Sequence, residues 1–206
     1  MSLDHLVYAA PDLDAAVADL ERRLGVRAAP GGSHPGFGTR NRLIGLGGRS
    51  YLEIIGPDPA QGSPAFPRPF HLDVLAEPAL VAWALAVDDI DAAVAGACGR
   101  GYDPGDPEAM ARRTPSGDLL TWRLTPPRRA AYSGLVPFLI QWGDTRHPTD
   151  TGLPQVELAG LHAEHPEPDV VGRALAAVGA TLDVRKGPRP RLEAVLRGRD
   201  GLVTLA

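Results

Sequence analysis

The sequence predicts an α+β fold of tandem β-α-β-β-β modules, with a third, divergent module at the C-terminus. Three observations carry this expectation. The stretch from Leu3 to Ala18 returns as Leu80 to Ala95 at a constant offset of 77 residues. Strand-like apolar runs punctuated by Gly and Pro follow each copy. After Pro154 the succession of strand, helix and strands starts again.

The two copies agree best at Asp12-Leu13-Asp14-Ala15-Ala16-Val17-Ala18 against Asp89-Ile90-Asp91-Ala92-Ala93-Val94-Ala95. Ahead of this segment, Leu3 to Tyr8 is a short, mostly apolar run that suits a strand buried on both faces. Pro11 and Asp12 stop it. Asp12 or Asp14 can accept hydrogen bonds from the free N–H groups at the start of a helix. Leu13, Ala16, Val17, Leu20 and Leu24 fall on one face of that helix, and Gly25 ends it.

The second copy gives a strand over Val81 to Val87 and a helix from Asp89 to about Cys98, ending at Gly99 and Gly101. Thr39 to Leu46 and Tyr51 to Ile55 read as strands joined at a Gly47-Gly48 hairpin, and Leu119 to Leu124 and Val136 to Trp142 as strands of the second module. Beyond Pro154 come a strand (Val156 to Ala163), a helix (Asp169 to Val178) and strands over Thr181 to Val184, Leu192 to Leu196 and Leu202 to Leu205. The expected organisation is a pair of modules, about 3–57 and 80–143, within residues 1–152. Residues 153–206 then form a third, partial module packed on the same domain.

Composition narrows the function classes. The chain has 206 residues, 21 basic against 25 acidic side chains, 24 Gly and 21 Pro. That is rich in turns, yet below the roughly 25–30% Pro plus Gly at which low complexity becomes the default. A chain of this length buries well over half of its unfolded surface. A net charge of -4 with scattered arginines gives no electrostatic footprint for nucleic acid. The one dense basic cluster, Arg185, Lys186, Arg189 and Arg191, is broken by Gly187, Pro188 and Pro190 and reads as a solvated turn. Cys98 is the only cysteine, so no disulfide or cysteine metal site is available, and it reads as a small buried hydrophobe. No window approaches the roughly 18 apolar residues of a membrane span, and the N-terminus lacks a basic region before an apolar one. A cytoplasmic protein with no membrane partner is expected.

The duplicated module resembles the vicinal oxygen chelate superfamily of glyoxalases, extradiol dioxygenases and bleomycin-resistance proteins. Leu3-Asp4-His5, His34-Pro35-Gly36 with Gly38-Thr39 and Asn41, Tyr51-Leu52-Glu53, Trp122-Arg123, Pro137-Phe138 with Trp142, and His147-Pro148 are together similar to the bacterial glyoxalase-like domain family. The resemblance spans residues 3 to 206. It implies a curved mixed sheet forming a cup, with a divalent metal (Fe, Mn, Ni or Zn) held by the first and last strands of each module and completed by a substrate with two adjacent oxygens. A cofactor other than such a metal is not implied.

The resemblance puts the metal ligands on His5 and Glu53, an imidazole and a carboxylate that suit these ions. Alternation sets Leu3, His5 and Val7 on one face and Tyr51, Glu53 and Ile55 on one face. The second module places Ala82 opposite His5 and Ile140 opposite Glu53, with Gln141 next to it, so it does not repeat the pair. A further ligand could come from His34 or His147. The competing role for His5 and Glu53 is a buried polar pair bonded to each other or to the backbone. Glu53 and His34 are the groups placed to move a proton.

Substrate contacts fall to Asn41, Tyr51, Trp122, Gln141, Trp142 and His147, with core packing as the other role of the aromatics. His71, His162 and His165 read as ordinary surface or loop residues. Phosphate-loop, serine-hydrolase and HExxH patterns are absent, and Gly36 to Asn41 precedes a strand instead of opening a helix. The expected partner is a small-molecule ligand, with a homodimer left open. Three functions stay open: a metal-dependent lyase, isomerase or dioxygenase; a metal-free sequestering protein; and a structural domain with a vestigial site.

Overall fold

The computed structural model describes residues 1–114, 117–127 and 131–206. Strand β1 (Ser2–Ala9) leads into helix α1 (Leu13–Leu24), followed by β2 (Ala29–His34), β3 (Thr39–Gly47) and β4 (Ser50–Pro57). The second half repeats the order with β5 (Ala79–Ala86), α2 (Ile90–Gly99), β6 (Glu108–Arg113), β7 (Leu119–Leu124) and β8 (Phe138–Trp142). The repeated aspartates start both helices. Asp12 accepts from the Ala15 N–H and Asp89 from the Ala92 N–H, each at 3.0 Å, satisfying a backbone donor that the first turn leaves free. Gly25 ends α1 at a φ of 76°, a left-handed conformation that glycine takes without a Cβ clash.

The eight strands close into a barrel in the order β1-β4-β3-β2-β6-β7-β8-β5. Within each half, the first strand runs parallel to the last and the others follow antiparallel. The halves meet along two seams. On one, β1 runs antiparallel to β5 over its whole length; on the other, the β2–β6 ladder is the single pair Ser33 and Arg113. The strands β2 and β6 carry no period-2 signal in the sequence. Pro30, Gly31 and Gly32 break the first, and Glu108, Arg112 and Arg113 interrupt the second.

The C-terminal segment comprises β9 (Glu157–His165), α3 (Pro168–Ala177), β10 (Asp183–Lys186), β11 (Arg191–Gly198) and β12 (Gly201–Leu205). Its sheet has the order β10-β9-β11-β12, so β9 lies between two partners instead of at the edge of its unit. This strand order differs from that of both barrel halves, and the sheet backs the barrel as a separate layer, tied to it by a bridge between Gly45 and Gln155 and a bond from the Leu80 N–H to the Ala206 oxygen. The charged, exposed strand β10 suits a solvent-facing edge.

One apolar core joins the two sheets. Leu6, Leu52, Ile54, Ile44 and Leu85 on the outward barrel face pack with Leu20 and Leu24 of α1, Val171 and Leu175 of α3, and Leu192, Leu196 and Leu205 of the second sheet. The inward face carries a separate lining of Val7, Ala9, Ile55, Ala82, Ala84, Leu120, Trp122, Phe138 and Ile140. Thus β1 is buried on both sides, as its composition requires. The linker between the halves reaches into the same lining with Phe70, Leu72 and Leu75. Cys98 is exposed, contrary to the sequence reading, because it lies at the free end of α2. Among the described residues, no helix is long and apolar enough to cross a membrane.

Candidate active site

A bulge in β1 organises the polar centre of the barrel. Pairing with β5 slips between Leu3 and His5, and the extra residue lets neighbouring side chains depart from strict alternation. Asp4 and His5, adjacent in sequence, are both buried and hydrogen-bonded to each other. The carboxylate of Asp4 takes three donors: His5 Nδ1 at 2.6 Å, Trp142 Nε1 at 3.0 Å and His147 Nε2 at 3.2 Å. The backbone N–H of Thr149 donates to His147 Nδ1, which leaves the His147 proton on Nε2, facing Asp4. Burial works against the charge on Asp4, but the hydrogen bonds from His147 and His5 prevail and hold its carboxyl down to about 2. Asp4 therefore fixes the ring of His5 and ties the start of β1 to the end of β8 and the loop beyond it.

With Nδ1 of His5 occupied, Nε2 faces Glu53 Oε2 at 3.8 Å. Tyr51, two residues before Glu53 on the same face of β4, stacks on the His5 ring with centroids 4.8 Å apart, and Phe138 meets that ring edge-on. Burial and the nearby carboxylates of Asp4 and Glu53 push the Tyr51 hydroxyl well above its usual range, so it stays protonated.

Glu53 is 8% exposed and sits at the middle of the arrangement. Asn41 Nδ2 donates to its Oε1 at 2.5 Å, and His34 Nε2 lies 3.8 Å from the same oxygen. His34 is held by Thr39 Oγ1 at 3.0 Å from Nδ1, and burial lowers its pKa, favouring the neutral ring. Asn41 comes this close because β2 has no side chain to oppose it. A Cβ on Gly31 would stand 1.9 Å from Asn41 Oδ1. That Oδ1 is buried with no hydrogen-bond partner among the described residues. Trp122 closes the side wall, edge-on to His34 and tilted against Trp142.

The structure thus brings together His5, His34, Asn41, Tyr51, Glu53, Trp122, Trp142 and His147. Gln141 is not among them. Its side chain accepts from Ile90 N–H at 3.1 Å and donates to Asp88 O at 2.8 Å, anchoring the start of α2 outside the barrel, because the residue faces outward between Ile140 and Trp142. Its amide is thereby committed to the start of α2. Sequence reasoning missed Asp4, Thr39 and Arg112. A charged residue beside a histidine in an otherwise apolar strand was the available sign for Asp4; Arg112 had none, since β6 itself was not legible.

The donor set does not make a metal centre. Among the described residues, no three His, Cys, Asp or Glu side chains come together to hold an ion. His5 and His34 approach different oxygens of Glu53, one of which is already bonded by Asn41, and the guanidinium of Arg112 acts on the same carboxylate. A cation there would meet a fixed positive charge, and the second half offers Ala82 and, by strand register, Phe138 rather than the expected Ile140 where further ligands would stand.

The glyoxalase-like domain family matches residues 3–179. The chain belongs to this family, within the vicinal oxygen chelate superfamily. Among solved structures, a hypothetical protein from Staphylococcus aureus is similar with a TM-score of 0.66 at 16% identity, covering 98% of this chain and 84% of its own, which is a likeness of fold. Methylmalonyl-CoA epimerase from Mycobacterium tuberculosis matches at 21% identity, 68% of this chain and 87% of its own, with a TM-score of 0.44. The Streptomyces coelicolor epimerase in complex with 2-nitronate-propionyl-CoA matches at 21% identity, 72% and 99% coverage, and a TM-score of 0.46. No curated protein gives a match to the sequence.

Proposed function

We propose that this glyoxalase-like protein binds a small oxygenated molecule inside the barrel and moves a proton on it, as an isomerase or lyase does, with Glu53 as the base. One observation supports this most. A nearly buried carboxylate is held by Asn41 and flanked at 3.8 Å by the Nε2 atoms of two imidazoles, within a wall of Trp122, Phe138 and Tyr51. Glu53 would take the proton from a carbon next to a carbonyl, the electron pair passing to the carbonyl oxygen. His34 and His5 flank the reacting atoms, and Asp4 keeps the His5 ring in register. Returning the proton to the same or a neighbouring carbon completes an isomerisation.

Proton exchange tests this directly. Carbonyl compounds incubated with the protein in D2O should lose their α-proton NMR signals, and Glu53→Gln should slow the exchange by about 100-fold or more. Exchange at the wild-type rate in Glu53→Gln would overturn the reading. So would a stoichiometric Fe, Mn, Ni or Zn that is lost in both His5→Ala and Glu53→Ala, which would reinstate the metal centre. Quenching of tryptophan fluorescence without any exchange would favour the sequestering role, which the apolar lining also supports.

A further inference from the structure

Arg112 stands out among the buried charges. It is 4% exposed and lies on the inward face of β6, paired with Leu120 of the apolar lining. A guanidinium offers five N–H donors and stays charged throughout the usual pH range. One of its nitrogens donates to the Gly31 carbonyl oxygen, and among the described residues no carboxylate forms an ion pair with it. Gly31 lies against Asn41, and Asn41 holds Glu53, so the guanidinium borders the same polar centre. Glu53 acts on it through space but forms no ion pair with it, being bonded by Asn41 and bracketed by the two histidines. The backbone makes room for it: a Cβ on Gly32 would stand 3.1 Å from Arg112 Nη1 and 2.2 Å from the Arg113 oxygen. Burying a guanidinium without an anion is costly, and the cost is recovered when an anion arrives.

Resting on the reading of the barrel as a small-molecule chamber, we infer that Arg112 is a specificity-determining residue that seats a ligand carboxylate. The planar fork of donors matches a carboxylate bidentately. The ligand class is then small carboxylic acids with a carbonyl or hydroxyl oxygen beside the carboxylate, in preference to neutral aldehydes and ketones. Such a molecule, its carboxylate on Arg112, presents the neighbouring oxygen and carbon to His34 and Glu53.

Phenylpyruvate and phenylacetone test this, since they share an aryl group and a ketone and differ in the carboxylate. Quenching of Trp122 and Trp142 reports binding by the wild type, Arg112→Met and Arg112→Gln. Phenylpyruvate should bind the wild type at least about 10-fold tighter than phenylacetone. Both variants should weaken phenylpyruvate about 10- to 100-fold and leave phenylacetone unchanged. Arg112→Gln keeps a donor for Gly31, so it decides the point even if Arg112→Met does not fold. Equal binding of the two compounds by the wild type would overturn the carboxylate assignment while leaving the chamber. No quenching by either compound would overturn both.

Discussion

Replacing Asp4 with Asn isolates the charge on which the polar centre is built. The Asp4 carboxyl falls from its ordinary 3.8 to about 2 in the folded protein, a change that linkage converts to about 2 kcal/mol of stability. The sign follows from the direction. A carboxyl depressed in the folded state stabilises fully above its unfolded value near 4, and the contribution drains away as pH falls through the folded value near 2. The difference in unfolding free energy between wild type and Asp4→Asn should therefore shrink by about 1–2 kcal/mol between pH 6 and pH 2.5. Urea titrations followed by far-UV circular dichroism at several pH values read this difference. Other depressed carboxyls, such as Asp58, titrate in both proteins and cancel. A difference that stays constant across the range would refute the claim that His5 and His147 hold Asp4 as an anion.

Two further substitutions separate the site from its scaffold. Gly31→Ala puts a methyl group where Asn41 Oδ1 now lies, so the amide must leave Glu53; D2O exchange should fall and stability drop by about 1–3 kcal/mol in chemical denaturation. Gln141→Met removes both anchors of the α2 start and should lower stability by about 1–2 kcal/mol, while phenylpyruvate quenching remains at the wild-type level.

Much of the framework was legible because local signals repeat. Asp12 and Asp89 sit at equivalent places in the duplicated stretch, and each caps a helix. His5 and Glu53 share the barrel interior because period-2 alternation brings them there. The rest depended on features without a local signature. Asp4 joins the site only through a one-residue slip in pairing, and Arg112 only through closure of two strands whose composition argues against strands. Gln141, a polar residue beside an inward position, faces outward and anchors a helix start, which its sequence position alone did not show. The C-terminal unit repeated the order of elements but not their pairing, which is set by contacts distant in sequence.

The two seams of the barrel are unequal, and this has a mechanical consequence. A cylinder bonded along the full length of β1 and β5, but at β2 and β6 through one ladder pair and the Arg112 side chain on Gly31, parts at the lesser joint at the lower free-energy cost. The β1–β5 edge then serves as the spine of a book whose covers are the two halves. Arg112 and His34 lie on the strands flanking the weak edge, so parting there would expose them. Asp4, bonded to His5, Trp142 and His147 beside the spine, keeps its partners while the covers swing, so the proton-handling groups hold their geometry as the interior fills and empties.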